Sequence, residues 1–142
     1  MTKKEKFKII DQVMTIKKRD DGTEFHCFSD KAPEDLKDLF LGSYEVRDLD
    51  YKIWHNACDI ISGLEFETLK GENDDSFDIY EIVDSEASPY NSDRLEYLNI
   101  WNEEEITEKV RDNDCNISEA CAYWYDEQVR DVVSIIRDWI FK

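Results

Sequence analysis

The chain has 142 residues, 35 of them acidic and 18 basic, for a formal charge of −17. That charge excludes nucleic acid and anionic membrane as direct partners and favours a basic protein surface. With 41% hydrophobic and 13% aromatic residues, the chain has enough apolar side chain for a core, which excludes a disordered acidic tail and fits one domain over residues 1–142.

Residues 1–19 form the basic end, an arm or a helix. Lys3, Lys4, Lys6, Lys8, Lys17, Lys18 and Arg19 stand against Glu5 and Asp11, a charge of +5, so the remainder carries −22. Thr2 and Glu5 have capping-box spacing. Phe7, Ile10, Val13 and Met14 follow at helical spacing, which predicts a first helix to about Lys18. Asp21-Gly22 is also a hairpin turn signal, with Met14–Arg19 before it and Glu24–Phe28 after it. A short amino-terminal β-hairpin is therefore the rival for residues 14–28. Met1 to Lys8 is charged, and no apolar run is long enough for a signal peptide or a membrane span, so a cytoplasmic protein is expected. Cys27, Cys58, Cys115 and Cys121 make no C-x-x-C pair and are expected to be reduced thiols.

Asp30 can cap a helix with Pro33 near its first turn. Leu36, Leu39 and Phe40 give that helix its apolar side, and Gly42 ends it. Asp48 or Asp50 starts the next, where Leu49, Ile53, Trp54, Ala57 and Ile61 form a stripe and Gly63 suits a C′ position. Leu64–Leu69 alternates briefly, as a strand or a linker would. Gly71–Ser76 reads as a loop.

The stretch from Gly71 to Glu105 is the most informative. Glu72, Asp74, Asp75, Asp78, Glu81, Asp84, Glu86, Asp93, Glu96, Glu103, Glu104 and Glu105 face one basic residue, Arg94, for −11 over 35 residues. Phe77, Ile79, Tyr80, Ile82, Val83, Tyr90, Leu95, Tyr97, Leu98, Ile100 and Trp101 thread through it, so the carboxylates can be held in fixed places. Phe77, Tyr80 and Val83 predict one short helix, which Ser88-Pro89 breaks. Asn91 or Ser92 caps a second with Leu95, Leu98 and Trp101. Asn102 and Glu105 have capping-box spacing for a third with Ile106 and Val110. Asp112–Asn116 reads as a loop. From Ser118 a long helix runs to Phe141, with Cys121, Trp124, Tyr125, Gln128, Val129, Val132, Ile136, Trp139 and Ile140 on one seam. Tyr123-Trp124-Tyr125 is expected to be part core and part rim. The fold class is mainly α: a compact helical domain with a long carboxy-terminal helix.

No catalytic motif is present, so an enzyme is not expected. There is no G-x-S-x-G, no phosphate-binding glycine loop and no defensible Cys/His arrangement. His55 and Cys58 at i, i+3, and His26 beside Cys27, fall short of a zinc set. Asp74, Asp75 and Asp78 lack the calcium-loop pattern. No metal or cofactor is implied. With so many acids, chance carboxylate pairs are inevitable and do not single out a hydrolase.

If residues 77–111 are largely helical, the acidic stretch is ~50 Å long at ~1.5 Å per residue. That gives one carboxylate per ~4 Å, against one phosphate per ~3.4 Å of a DNA strand. Pairs such as Asp75/Asp78, Asp78/Glu81 and Glu81/Asp84 would lie ~5–6 Å apart on one face.

The segment from Asp74 to Leu95 resembles part of the small acidic phage-encoded anti-restriction proteins of the T7 type, which mimic DNA. Those proteins also place an acidic helix before Asp, small residues, Pro, Tyr and an Asp-apolar pair. The match covers about 25 residues. The basic amino-terminal end and the cysteines depart from the pattern. The resemblance implies a helical acidic dimer that fills the DNA groove of a restriction-modification enzyme. The expected function is therefore a DNA-mimic inhibitor of a host defence enzyme, restriction-modification, CRISPR or related. The partner would be a basic DNA-binding protein, met in the host cytoplasm. The twelve acids above would carry binding, extended by Glu108, Asp112 and Asp114. Trp139 and Phe141, bulky and apolar at the end of the seam, would lie at a homodimer contact. The alternative is a small immunity or antitoxin-type protein that binds one basic protein surface through a specific patch.

Overall fold

The computed structural model describes residues 1–41, 47–71, 78–83 and 94–142. It is mainly helical, with a two-stranded antiparallel sheet near the amino terminus. Helix α1 spans Lys3–Ile9, and Thr2 caps it by accepting the Glu5 N–H at 3.1 Å. It tightens into a 3-10 turn over Ile10–Gln12, burying Ile10 and Val13. The chain then leaves the helix well before Lys18.

Strand β1 spans Met14–Lys18 and β2 spans Glu24–Phe28, paired Met14 to Phe28 and Lys18 to Glu24. The hairpin of the rival reading is the one formed. Its loop needs Gly22, whose φ is +88°, a region L side chains rarely adopt. Asp21 Oδ1 fixes the loop by accepting the Thr23 N–H at 3.0 Å and the Thr23 hydroxyl at 2.7 Å. Tertiary packing decides against the helix. Phe28 sits edge-on to Phe40, Tyr51 and Trp54, with ring centroids 5.3, 5.7 and 6.0 Å away.

Helix α2 spans Glu34–Leu41 and buries Leu36, while Leu39 faces solvent. Asp30 does not cap it; the helix opens after Pro33, whose carbonyl accepts the Lys37 N–H at 3.1 Å. Helix α3 spans Asp48–Ser62 and buries Ile53, Trp54, Ala57, Cys58 and Ile61. Asp50 anchors its first turn by accepting from the Arg47 backbone N–H at 3.3 Å and the Arg47 Nε at 3.0 Å. Gly63 ends it in right-handed geometry, φ −79°, so no left-handed residue is used there.

Leu64–Leu69 is neither strand nor linker. Helix α4 spans Phe66–Lys70 and fully buries Leu69. The guanidinium of Arg137 holds its carboxyl end, with Nε donating to the Leu69 carbonyl at 2.7 Å and Nη2 to that of Lys70 at 2.8 Å. Helix α5 spans Ile79–Val83 and buries Val83.

The helix expected to carry Leu95, Leu98 and Trp101 is a single 3-10 turn, Arg94–Tyr97. Its caps at Asn91 or Ser92 lie outside the described residues. So do the loop over 72–76, Gly42, Phe77 and the Ser88-Pro89 break. Asn99 and Asn102 bond to local backbone, which competes with helix propagation. Helix α6 spans Glu103–Asn113 with Asn102 at its N-cap, but no capping bond forms. Asp114 ends it at φ +48°, a conformation a short polar side chain tolerates.

Helix α7 spans Ile117–Phe141, capped by Asn116, whose Oδ1 accepts the Glu119 N–H at 2.8 Å. It contacts each of α1 to α6 and is the axis of the core. Trp124, Tyr125, Val129, Val132, Val133, Ile136, Trp139 and Ile140 are all buried, while Tyr123 faces out. The seam read from the sequence is therefore the inner face of the molecule.

Candidate functional site

The predicted acids divide by what they touch. Glu72, Asp74, Asp75, Asp84, Glu86 and Asp93 lie outside the described residues. Asp78 opens α5, its Oδ1 accepting the Tyr80 N–H at 3.0 Å and the Glu81 N–H at 3.3 Å. Glu96 is bridged to Lys52 of α3 at 2.8 Å. Glu105 accepts from the indole Nε1 of Trp124 at 2.8 Å, tying α6 to α7. These three carboxylates hold the fold.

Glu81, Glu103, Glu104, Glu108, Asp112 and Asp114 are exposed and enter no ion pair among the described residues. Their placement follows from the period of α6. Ile106 is buried and Val110 half-buried against α7, so Glu104, Glu108 and Asp112, at i, i+4 and i+8, share the opposite face. Each step along that row is ~6 Å at the helical rise. That is sparser than the ~3.4 Å phosphate spacing of one DNA strand. The continuous ~50 Å helix that would give a closer match is not formed. The described part of the acidic stretch holds α5, the 3-10 turn and α6, and the local bonds of Asn99 and Asn102 separate the last two.

Trp139 and Phe141 are covered by their own chain. The Trp139 Nε1 donates to Asp35 of α2 at 2.9 Å, and Lys6 of α1 lies 4.8 Å from its ring centroid while donating to its carbonyl at 2.9 Å. Phe141 meets Phe66 of α4 at 5.5 Å. Within one chain Trp139 is thus buried and Phe141 half-buried. The basic amino-terminal end is likewise no loose arm: α1 packs on α7, and the Lys6 ammonium sits at the negative end of the α7 dipole.

Three features escape the sequence. His26 of β2 and His55 of α3 meet with their Nδ1 atoms 2.7 Å apart. Burial lowers the His26 pKa first, with His55 and then Lys52 adding to that, while Asp59 and Asp48 oppose it. Asn56 of α3 bonds the Tyr125 hydroxyl of α7 on the wall of a cleft of about 340 Å³, lined also by Asp59, Ile60, Leu64, Ile82 and Val129. Burial raises the Tyr125 phenol far above its ordinary value, so it is a neutral hydrogen-bonding group. The third is the turn at Ile100-Trp101, where both side chains stand in solvent. The paired asparagines Asn99 and Asn102 were the available signal for that turn.

Among the described residues, no group of three or more His, Cys, Asp or Glu is placed to hold a metal ion. All four cysteines are free thiols, with Cys58 and Cys121 buried. No described helix is long and apolar enough to cross a membrane. The fold and this surface define an acidic, mainly helical domain with an outward carboxylate face. No protein-family model, curated protein or solved structure matches the chain.

Proposed function

We propose that the chain is a DNA-mimic inhibitor that occupies the basic DNA-binding channel of a host defence enzyme of the restriction-modification or CRISPR kind. The observation that supports this most is the outward face of α6. Glu104, Glu108 and Asp112 stand in a row there on a helix anchored to the core, and Glu103 in its first turn and Asp114 just past its end are exposed as well. Carboxylates carried on a packed helix would replace phosphates, and the −17 net charge steers association with a cationic channel. The inhibitor would be encoded by a phage or mobile element and act in the host cytoplasm. No bond is made or broken.

The alternative is an immunity or antitoxin-type protein bound to one basic toxin surface. The exposed indole of Trp101 beside the acids favours it, because a single aromatic hot spot is typical of such interfaces.

A competition experiment separates the two. A fluorescent duplex of about 30 base pairs, roughly 100 Å at ~3.4 Å per pair, is bound to a purified type I restriction enzyme and to a purified CRISPR effector, and the protein is titrated in. The mimic displaces duplex from at least one of them and blocks its DNA cleavage. Binding to a toxin with no DNA-binding channel, and no displacement from either enzyme, selects the alternative.

A further inference from the structure

Ile100 and Trp101 are 81% and 67% exposed, and Leu95 nearby is 51% exposed. Turn tips are ordinarily small and polar, because bulky apolar groups there gain nothing from folding. Here the tip is apolar while the polar groups point inward and hold it. The Asn99 side-chain oxygen accepts the Trp101 N–H at 2.9 Å, and that of Asn102 accepts the Asn99 N–H at 2.9 Å. The Asn102 Nδ2 donates to the Tyr97 carbonyl at 2.7 Å. Asn102 is buried, so this lock is part of the fold. Tyr97 is in turn stacked on Tyr125 of α7, with centroids 4.1 Å apart. The Arg47 guanidinium lies 5.4 Å from the Trp101 centroid and supports one side of the ring. The tip is therefore a preorganised aromatic anchor, which lowers the entropic cost of ordering it on binding.

Its surroundings specify what it meets. Glu103 and Glu104 follow immediately and are exposed, and Glu108 stands one turn further on. A second copy would bring two like-charged rims together. We infer that the Ile100-Trp101 tip is an apolar anchor that inserts into a pocket on a basic protein, whose cations pair with the carboxylates around it. This rests on the reading of the partner as a basic protein, and adds that specificity comes from shape at one aromatic point beside the charge.

The test uses a random peptide library displayed on phage, selected on the immobilised full chain at ~0.15 M salt, where the Debye length is about 8 Å. The peptides obtained are then titrated into the wild type, an Ile100→Ser/Trp101→Ala variant and a Glu103→Gln/Glu104→Gln variant. All four side chains are exposed, and an unchanged thermal melt verifies that each variant folds. The expected peptides combine Lys or Arg with an aromatic or aliphatic residue. They lose at least about ten-fold in affinity for the tip variant, and their salt dependence falls in the amide variant. Basic peptides that bind wild type and tip variant alike overturn the anchor and leave the acidic-surface reading standing. Apolar peptides without Lys or Arg, lost in the tip variant, overturn the basic partner and the mimic reading with it. A mass that rises with concentration in the wild type but not in the tip variant assigns the tip to a second copy and overturns the proposal.

Discussion

The contact between His26 and His55 allows one proton, not two, between its facing nitrogens. At an Nδ1···Nδ1 distance of 2.7 Å, one imidazole donates and the other must accept, so a proton taken up by the accepting nitrogen breaks the bond. The folded state holds His26 below its ordinary value of 6.5. The unfolded chain therefore binds more protons just below that pH. The contribution is complete above pH 6.5 and is lost as pH falls through the folded value. Thermal melts from about pH 7 to about pH 5, the range in which histidine titrates, are expected to fall more steeply for the wild type than for His26→Gln. Parallel curves would mean the pair does not hold the hairpin to α3. Trp139 gives a second residue-level outcome. Its ring is enclosed by Lys6 and Asp35, so Trp139→Ala should cost about 3–5 kcal/mol of folding stability, as large aromatic truncations do. Chemical denaturation measures it. A stable variant with a changed molecular mass would return Trp139 to an intermolecular contact.

Helix α7 is the element on which the others converge. Its buried seam passes through Val133, which has no exposure. Val133→Asp buries an unpaired charge and is expected to unfold or aggregate the protein. A circular dichroism melt like that of the wild type would mean α7 is not the core. Elements of this kind are legible in the sequence: α7 and α3 repeat their apolar residues at the helical period over enough turns to fix the face, and Asn102 marks the start of α6. The hairpin is only half legible, because Ile10, Val13 and Met14 keep helical spacing up to the residue that opens β1, while Asp21-Gly22 signals a turn. Contacts made far along the chain, Phe28 against Phe40 and Trp54, decide between them. The tip departs from its expected helix for a local reason. Leu95, Leu98 and Trp101 have helical spacing, but Asn99 and Asn102 bond their own backbone and turn the chain outward. Among the acids, exposure along α6 follows from its period, whereas the engagement of Glu96 by Lys52 and Glu105 by Trp124 depends on partners brought together only by the fold.

At the scale of the whole molecule, −17 charges exceed the roughly 2–8 units that keep a small domain soluble, and they repel one another in the folded state. The proposed cationic partner would account for a surface maintained against that repulsion. The described part of the acidic stretch does not form one long rod, so under the proposed function the carboxylates would bind from separate elements. Many weak, screened contacts would then add, each exposed pair contributing about 0.2–1 kcal/mol. The most direct test is displacement of the same duplex from a purified type I restriction enzyme, comparing the wild type with Glu103, Glu104, Glu108, Asp112 and Asp114 changed to amides, singly and together. The account predicts a change of only a few-fold for each single variant, a loss of about 100-fold or more for all of them together, and a shallower salt dependence in that combined variant. A combined variant that displaces duplex as well as the wild type, or one carboxylate that carries nearly all the affinity, would contradict it.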